Sequence, residues 1–196
     1  MKLKSKSSKE RVNAPEGVHN ARCVQVLDMG TQYSEKFDKS QHKVQLGFEL
    51  VDETHVFNEE KGEQPFVVYR TYTLSSDKKA ALVKDLSSWL GIKIDKDSDF
   101  DMGTLIGKAC QIQIMHNESD DAVYANIQNI MPAPKKGKVK GAVTDTRFLS
   151  LEPEEFDKKI FDDLPDFLKE LIEVTPEYKA LGKKEPKKAP VKTKKK

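Results

Sequence analysis

The fold is decided between residues 65 and 116, where PFVVYRTYTLS (65–75) is followed by DKKAALVKDLSSWLG (77–91) and then by TLIGKACQIQIMH (104–116). The first piece is rich in β-branched and aromatic residues and the last alternates cleanly, so both read as strands. The middle piece sets Leu82, Val83, Leu86, Trp89 and Leu90 at helical spacing. Ser75 or Ser76 is placed to cap that helix, Asp77 suits its positive end, and Gly91 stops it. Working outward, GVHNARCVQVLDMG (17–30) and HKVQLGFELV (42–51) are strand-like runs before it, and AVYANIQNIMP (122–132) is one after it. The element order is β-β-β-α-β-β.

This is the order of an OB-fold, a five-stranded, partly open Greek-key barrel whose strand 2 and 3 face and loops L12 and L45 commonly bind oligonucleotides or oligosaccharides. The expected fold class is therefore mainly β, with the barrel over residues 15–132. A flexible basic arm (1–14) precedes it. A Pro/Gly/Lys linker (133–149), an acidic amphipathic helical extension (150–181) and a disordered Lys-rich tail (182–196) follow. Within the extension Pro153, Pro165 and Pro176 each stand where a helix can start, giving two or three short helices. Their apolar residues, Phe156, Ile160, Phe161, Leu164, Phe167, Leu168, Leu171 and Ile172, favour packing on the barrel over docking on a partner.

Charge is distributed unevenly along the 196 residues, although the formal net is only +2. The barrel segment 12–132 holds twelve basic against nineteen acidic residues, a net of −7, while the last fourteen residues hold eight lysines and one glutamate. An acidic body with cationic ends has no broad attraction for nucleic acid, so any such site must be local. Cys23 and Cys110 lack metal-ligand spacing and read as buried free thiols of a reducing compartment, with a chance pairing of the two left open. No apolar run is long enough to span a membrane, and the Lys-rich start lacks the apolar core of a secretory signal, so a soluble intracellular protein is expected.

The local site is sought in loop L12 and strands 2 and 3. The polar stretch GTQYSEKFDKSQ (30–41) interleaves Tyr33 and Phe37 with Lys36 and Lys39, which is what a single strand needs: rings stack on unpaired bases and ammonium groups meet phosphates. Phe37 has the alternative role of a plug on the barrel end. Strand 2 alternates, with Val44, Leu46, Phe48 and Leu50 inward and Lys43, Gln45, Gly47 and Glu49 on a solvated face. Strand 3 crowds Tyr69, Arg70, Thr71 and Tyr72 together, and its two alternate sets leave the inward one undecided. Arg70 is expected outside, because an unpartnered buried Arg is costly, with pairing to Glu49 across the sheet as its alternative role. Trp89 sits on the apolar stripe of the helix and is assigned to the core. Lys135, Lys136, Lys138 and Lys140 extend a basic track, whereas NESDD (117–121), at L45, has the wrong charge for phosphate.

Catalytic signatures are missing. There is no nucleophile elbow, Walker loop, HExxH or dinucleotide fingerprint, and His19, His42, His55 and His116 show no ligand spacing. The acidic run IDKDSDFDMG fails as a calcium loop, since Phe100 stands where glycine is needed and Ile106 where the bidentate Glu is needed. A non-enzyme without a cofactor is expected.

The pieces GVHNARCVQVLDMGTQ, KVQLGFEL, YTLS followed by LVKDLSSWLG, GKACQIQIMH, YANIQNIMP and the late FDDLPDFLKELIEVTPEYKAL resemble phage-encoded single-stranded DNA-binding proteins of replication and recombination modules. The resemblance covers residues 17 to 181 and rests on order. It implies an OB-fold that coats unpaired DNA without sequence preference in the bacterial cytoplasm, with Tyr33, Lys36, Phe37, Lys43, Arg70 and Tyr72 at matched site positions. It also implies replication or recombination proteins as partners, for which residues 150–181 are the candidate surface. Such proteins often end in an acidic tail, whereas this chain ends in lysines. An adaptor that recruits a replication or recombination enzyme stands as the alternative, and RNA binding and self-association stay open.

Overall fold

The computed structural model describes residues 12–35, 38–95, 100–119 and 122–182. Five long antiparallel strands dominate it: β1 (Gly17–Ser34), β2 (Lys39–Asn58), β3 (Gly62–Thr73), β4 (Ala109–Ser119) and β5 (Ala122–Pro132). They lie in the order β3-β2-β1-β4-β5, and a sixth strand, β6 (Arg147–Leu149), pairs parallel with Gln25–Leu27 of β1. The result is a mainly β protein built on one six-stranded sheet that no β3–β5 ladder closes among the described residues. Among the described residues one α-helix, α1 (Ala81–Leu90), and a short 3-10 helix (Met102–Leu105) lie between β3 and β4; three short α-helices, α2 (Lys158–Asp162), α3 (Asp166–Glu173) and α4 (Pro176–Leu181), follow β6. No helix among the described residues is long and apolar enough to cross a membrane.

The interior is set by the alternation of β2. Val44, Leu46, Phe48 and Leu50 are buried, as are Ile112 and Ile114 of β4 and Ile127 and Ile130 of β5. Helix α1 covers this core with Leu82, Val83, Leu86 and Trp89. The Trp89 ring meets Phe48 edge-on at 5.6 Å, and its indole N–H donates to the Ala109 carbonyl at 2.9 Å, so its polar group is satisfied in the core. Cys23 and Cys110 are free thiols buried in the same cluster, and burial pushes the Cys23 thiol up to about 12.

The start of α1 differs from the sequence expectation. The helix begins at Ala81 without a side-chain cap. Ser75 and Asp77 spend their side chains on local turns instead: the Asp77 amide donates to Ser75 Oγ at 3.2 Å and the Lys79 amide to Asp77 Oδ1 at 2.8 Å. Short polar side chains that bond their own backbone favour turns over helix, and here they delay the helix by one turn. Gly91, at φ 65°, ends it as expected.

A second apolar cluster lies outside the sheet, against β1. Leu27 and Met29 pack there with Leu149 and Leu151 and with Phe161, Leu164, Leu168 and Ile172 of the carboxyl-terminal helices. The extension thus packs on the sheet. Gly30 permits the close approach: at φ 62° it has a conformation L side chains rarely take, and a Cβ there would lie 2.7 Å from Thr175 Oγ1. Thr175 caps α4, whose Pro176 opens the helix, and Glu177 accepts from the Thr31 amide at 2.9 Å and the Thr31 hydroxyl at 2.6 Å.

Two polar connecting stretches are structured, one of them the expected 133–149 linker. Residues 52–64, acidic and turn-rich, extend the β2–β3 hairpin, because alternating Thr54, Val56 and neighbouring Phe57 carry strand propensity through the acids. Residues 133–149 include β6 and a strap that crosses the sheet. The Arg22 guanidinium donates to the carbonyls of Val139 at 2.8 Å, Lys140 at 2.5 Å and Gly107 at 2.6 Å. The arm is also partly placed: Ala14 is buried, and its carbonyl lies 2.8 Å from His116 Nε2.

Candidate nucleic-acid interface

The pairing of β2 with β3 decides which residues share the solvated face. Lys43 stands opposite Thr73, Gln45 opposite Thr71, Gly47 opposite Tyr69 and Glu49 opposite Val67. Since Leu46 and Phe48 point to the core, the face consists of Lys43, Gln45, Gly47, Glu49, Val67, Tyr69, Thr71 and Thr73. Gln25 of β1 joins it opposite Gly47, donating its amide to Gln45 Oε1 at 3.0 Å.

Gly47 makes the floor on which Tyr69 lies. A Cβ at Gly47 would stand 2.9 Å from Tyr69 Cε1 and 3.0 Å from Cδ1, so the ring rests directly on the backbone and only a glycine leaves it that room. Tyr69 is 49% exposed. Burial raises its phenol above the ordinary value, and the positive charge of nearby Arg147 opposes that shift. Lys43 lies two residue pairs away, its ammonium donating to Gln41 Oε1 at 2.8 Å and Thr73 Oγ1 at 2.7 Å. Between the ring and the ammonium lie Gln45 and Thr71, whose side chains approach at 3.5 Å. An exposed aromatic ring, amide and hydroxyl groups and the cations Lys43 and Arg147 on the same face are the ingredients for stacking a base and meeting its phosphate.

Arg70 and Tyr72 are not on this face. They belong to the alternate set that turns toward α1, and Tyr72 is 3% exposed. Its hydroxyl donates to Asp85 Oδ2 at 2.7 Å; burial first, then the Asp85 charge, drives its pKa far up. Arg70 pairs with the same carboxylate at 3.0 Å, lies 5.0 Å from the Tyr72 ring centroid and donates to the Gln128 carbonyl at 3.0 Å across to β5. The reason for expecting Arg70 outside was the lack of a partner. Asp85 of α1 supplies one, and Arg70 is a half-buried structural link between β3, α1 and β5.

Of the L12 residues, Tyr33 is 60% exposed with its hydroxyl donating to Asp38 Oδ1 at 2.7 Å, a bond that raises its pKa. Lys39 is exposed opposite Ser34. Lys36 and Phe37 lie outside the described residues, as do Asp120 and Asp121 of the L45 stretch. No protein-family model matches this chain, and no curated protein matches it.

Glu49 departs from the wet face drawn from strand alternation. It is 1% exposed, and its carboxylate accepts from the amides of Val143 at 2.9 Å and Thr144 at 2.6 Å. The strap covers this end of the face and buries the Glu49 carboxylate, while Val67 and Arg147 line a neighbouring pocket together with Lys61, Glu63 and Asp145. Strap residue Lys140 is committed to Asp52 at 2.9 Å, whereas Lys135, Lys136 and Lys138 are exposed. Arg147 is the site residue that sequence reasoning missed. A three-residue strand is too short for periodicity to register, although the alternation of Leu149 and Leu151 beside it, both buried, is a trace of that strand.

Proposed function

We propose that this protein binds single-stranded DNA without sequence preference, through the face formed by Lys43, Gln45, Tyr69, Thr71 and Arg147, and that its sheet is an OB-type barrel. The strand order β3-β2-β1-β4-β5, with α1 between β3 and β4 and Arg70 bonding across from β3 to the Gln128 carbonyl of β5, supports the barrel. The observation that carries the functional reading is the half-exposed Tyr69 ring resting on Gly47, with Lys43 two residue pairs along the same face and Arg147 across it beside Gln25. A ring held against backbone is ready to stack at little cost in side-chain entropy, and stacking contributes about 1–3 kcal/mol per base. Because base edges are not read by such a surface, little sequence preference follows.

The body is acidic, so affinity comes from few phosphates at the face, with the lysine-rich ends adding a salt-sensitive term. Fluorescence anisotropy of labelled mixed-sequence oligonucleotides tests the reading. The single strand is expected to bind more tightly than the duplex, with log affinity falling against log salt by about 0.7 per phosphate contact. Equal affinity for both forms, or binding that vanishes when residues 183–196 are deleted, refutes a site on the sheet.

The adaptor reading has one observation in its favour. Phe167, Leu171 and Val174 are exposed at helical spacing on and just after α3, beside Asp166, Glu170 and Glu173, although the opposite side of that helix packs on β1. Under that reading a replication or recombination enzyme engages this stripe, and Tyr69→Ala leaves the association intact.

A further inference from the structure

The seam where β3 and β5 approach without a ladder opens into a groove of about 290 Å³. Three exposed rings line it: Phe57 from the long β2–β3 hairpin, Tyr69 from β3 and Tyr124 from β5. Asn13 and Asn126 add amide groups. Tyr69 is common to this groove and to the face described above, so a strand lying along Lys43, Gln45 and Thr71 reaches the groove at that ring.

We propose that this seam is a pocket for one unpaired nucleobase, turned in from the strand while its phosphates stay outside. The inference rests on the single-strand reading of the neighbouring face and adds to it a pocket where one base of the strand is taken up. Four observations define the occupant. Among the described residues no Lys, Arg, Asp or Glu lines the groove, so those residues offer little to a phosphate or a charged side chain. Its size is at the lower end for small-molecule pockets, which suits a single heterocycle. The Phe57 ring is held in place before any ligand arrives: it meets Phe66 edge-on at 5.1 Å and the His55 ring at 5.0 Å, and Phe66 is buried. The Asn13 amide nitrogen donates to the Val123 carbonyl at 2.7 Å, which fixes that side chain and leaves its oxygen as an acceptor for a base amino or imino group. A flat, uncharged, hydrogen-bonding ring is the ligand that satisfies all four.

The test uses the full chain and two probes. First, an uncharged nucleoside, adenosine or thymidine, is titrated while the ring-proton NMR signals of Phe57 and Tyr124 are followed. Shifts at these rings, lost in Phe57→Leu and Tyr124→Ala, are expected; Phe57→Leu keeps an apolar contact for Phe66 while removing the stacking plane. Unmoved signals at millimolar nucleoside overturn the pocket whatever the oligonucleotide does. Second, a labelled oligothymidylate is titrated at several salt concentrations. Phe57→Leu and Tyr124→Ala are each expected to weaken binding by about five- to 150-fold, the range that one lost stack implies, with the salt slope unchanged. Undiminished affinity in both variants overturns the pocket and leaves the face reading standing. Nucleoside shifts without oligonucleotide binding support the pocket and overturn the single-strand reading.

Discussion

Replacing Gly47 with alanine adds one methyl group at the point where the proposed stacking ring touches the sheet. That carbon would sit 2.8 Å from Gln25 Cβ and 2.9 Å from Tyr69 Cε1, against the 3.5–4.0 Å at which carbon atoms ordinarily rest. Gln25 Cβ is tied to the β1 backbone, whereas the Tyr69 ring has solvent on its other side, so the ring is the part that gives way. Overpacking of this kind typically costs about 1–3 kcal/mol. For a chain of this length each kcal/mol lowers the melting temperature by about 2–4 °C, so a drop of about 2–12 °C is expected. Displacing the ring also removes one stack, about 1–3 kcal/mol of affinity. Differential scanning calorimetry and anisotropy with a single-stranded oligonucleotide measure both effects. The two substitutions are expected to couple, so that Gly47→Ala in a Tyr69→Ala background weakens binding far less than it does alone. A Gly47→Ala protein that melts and binds like wild type refutes the placement of Tyr69 as the stacking ring.

Other outcomes follow from the same geometry. Arg70→Ala is expected to lower stability, since it leaves Asp85 half-buried with only the Tyr72 hydroxyl, while Lys43→Ala spares stability and reduces the salt slope of DNA binding by about 0.7; thermal melts and salt titrations of the two variants check this. Leu168→Ala, in the cluster that holds the extension on β1, is expected to cost about 2–5 kcal/mol in denaturant unfolding without altering DNA affinity. The His42 ring meets Asp28 at 2.5 Å and Glu177 at 3.6 Å, and the Asp28 bond, opposed in part by burial, raises its pKa above 6.5. A raised His pKa means that its contribution is complete below 6.5 and fades as pH rises through the higher folded value. Glu177 has the opposite sign. Burial pushes it up, but the Thr31 bonds and the His42 charge hold it below 4.5, so its contribution is complete above 4.5 and is lost as pH falls through the lower folded value. Stability measured against pH is expected to decline on both sides of that window, and His42→Ala is expected to flatten the alkaline side.

The alternation of Val44, Leu46, Phe48 and Leu50 and the helical stripe ending in Trp89 were legible because each pattern is local and each residue finds its burial within its own element. Strand β3 was not. Both of its alternate sets mix apolar and polar residues, and its phase comes from pairing Gly47 with Tyr69, a relation the sequence of β3 does not contain. Arg70, expected outside, and Tyr72, whose side the strand pattern leaves open, both turn toward α1 because their partner, Asp85, lies on another element. Glu49 reads as solvated by alternation and is buried because a strap ninety-odd residues later bonds its carboxylate. Arg147 escaped for a related reason: its strand of three residues is stable only against β1. What local pattern carries is the element order; what chain crossings carry is the composition of the exposed face.

Photocrosslinking of the full chain to a single-stranded oligonucleotide carrying halogenated pyrimidines, with adducts mapped by peptide mass spectrometry, addresses the proposed site most directly. Adducts on the β3 peptide that contains Tyr69, lost in Tyr69→Ala with those elsewhere retained, are the predicted result. Adducts confined to residues 1–11 and 183–196, with none on β2 or β3, would contradict a base-stacking site on the sheet.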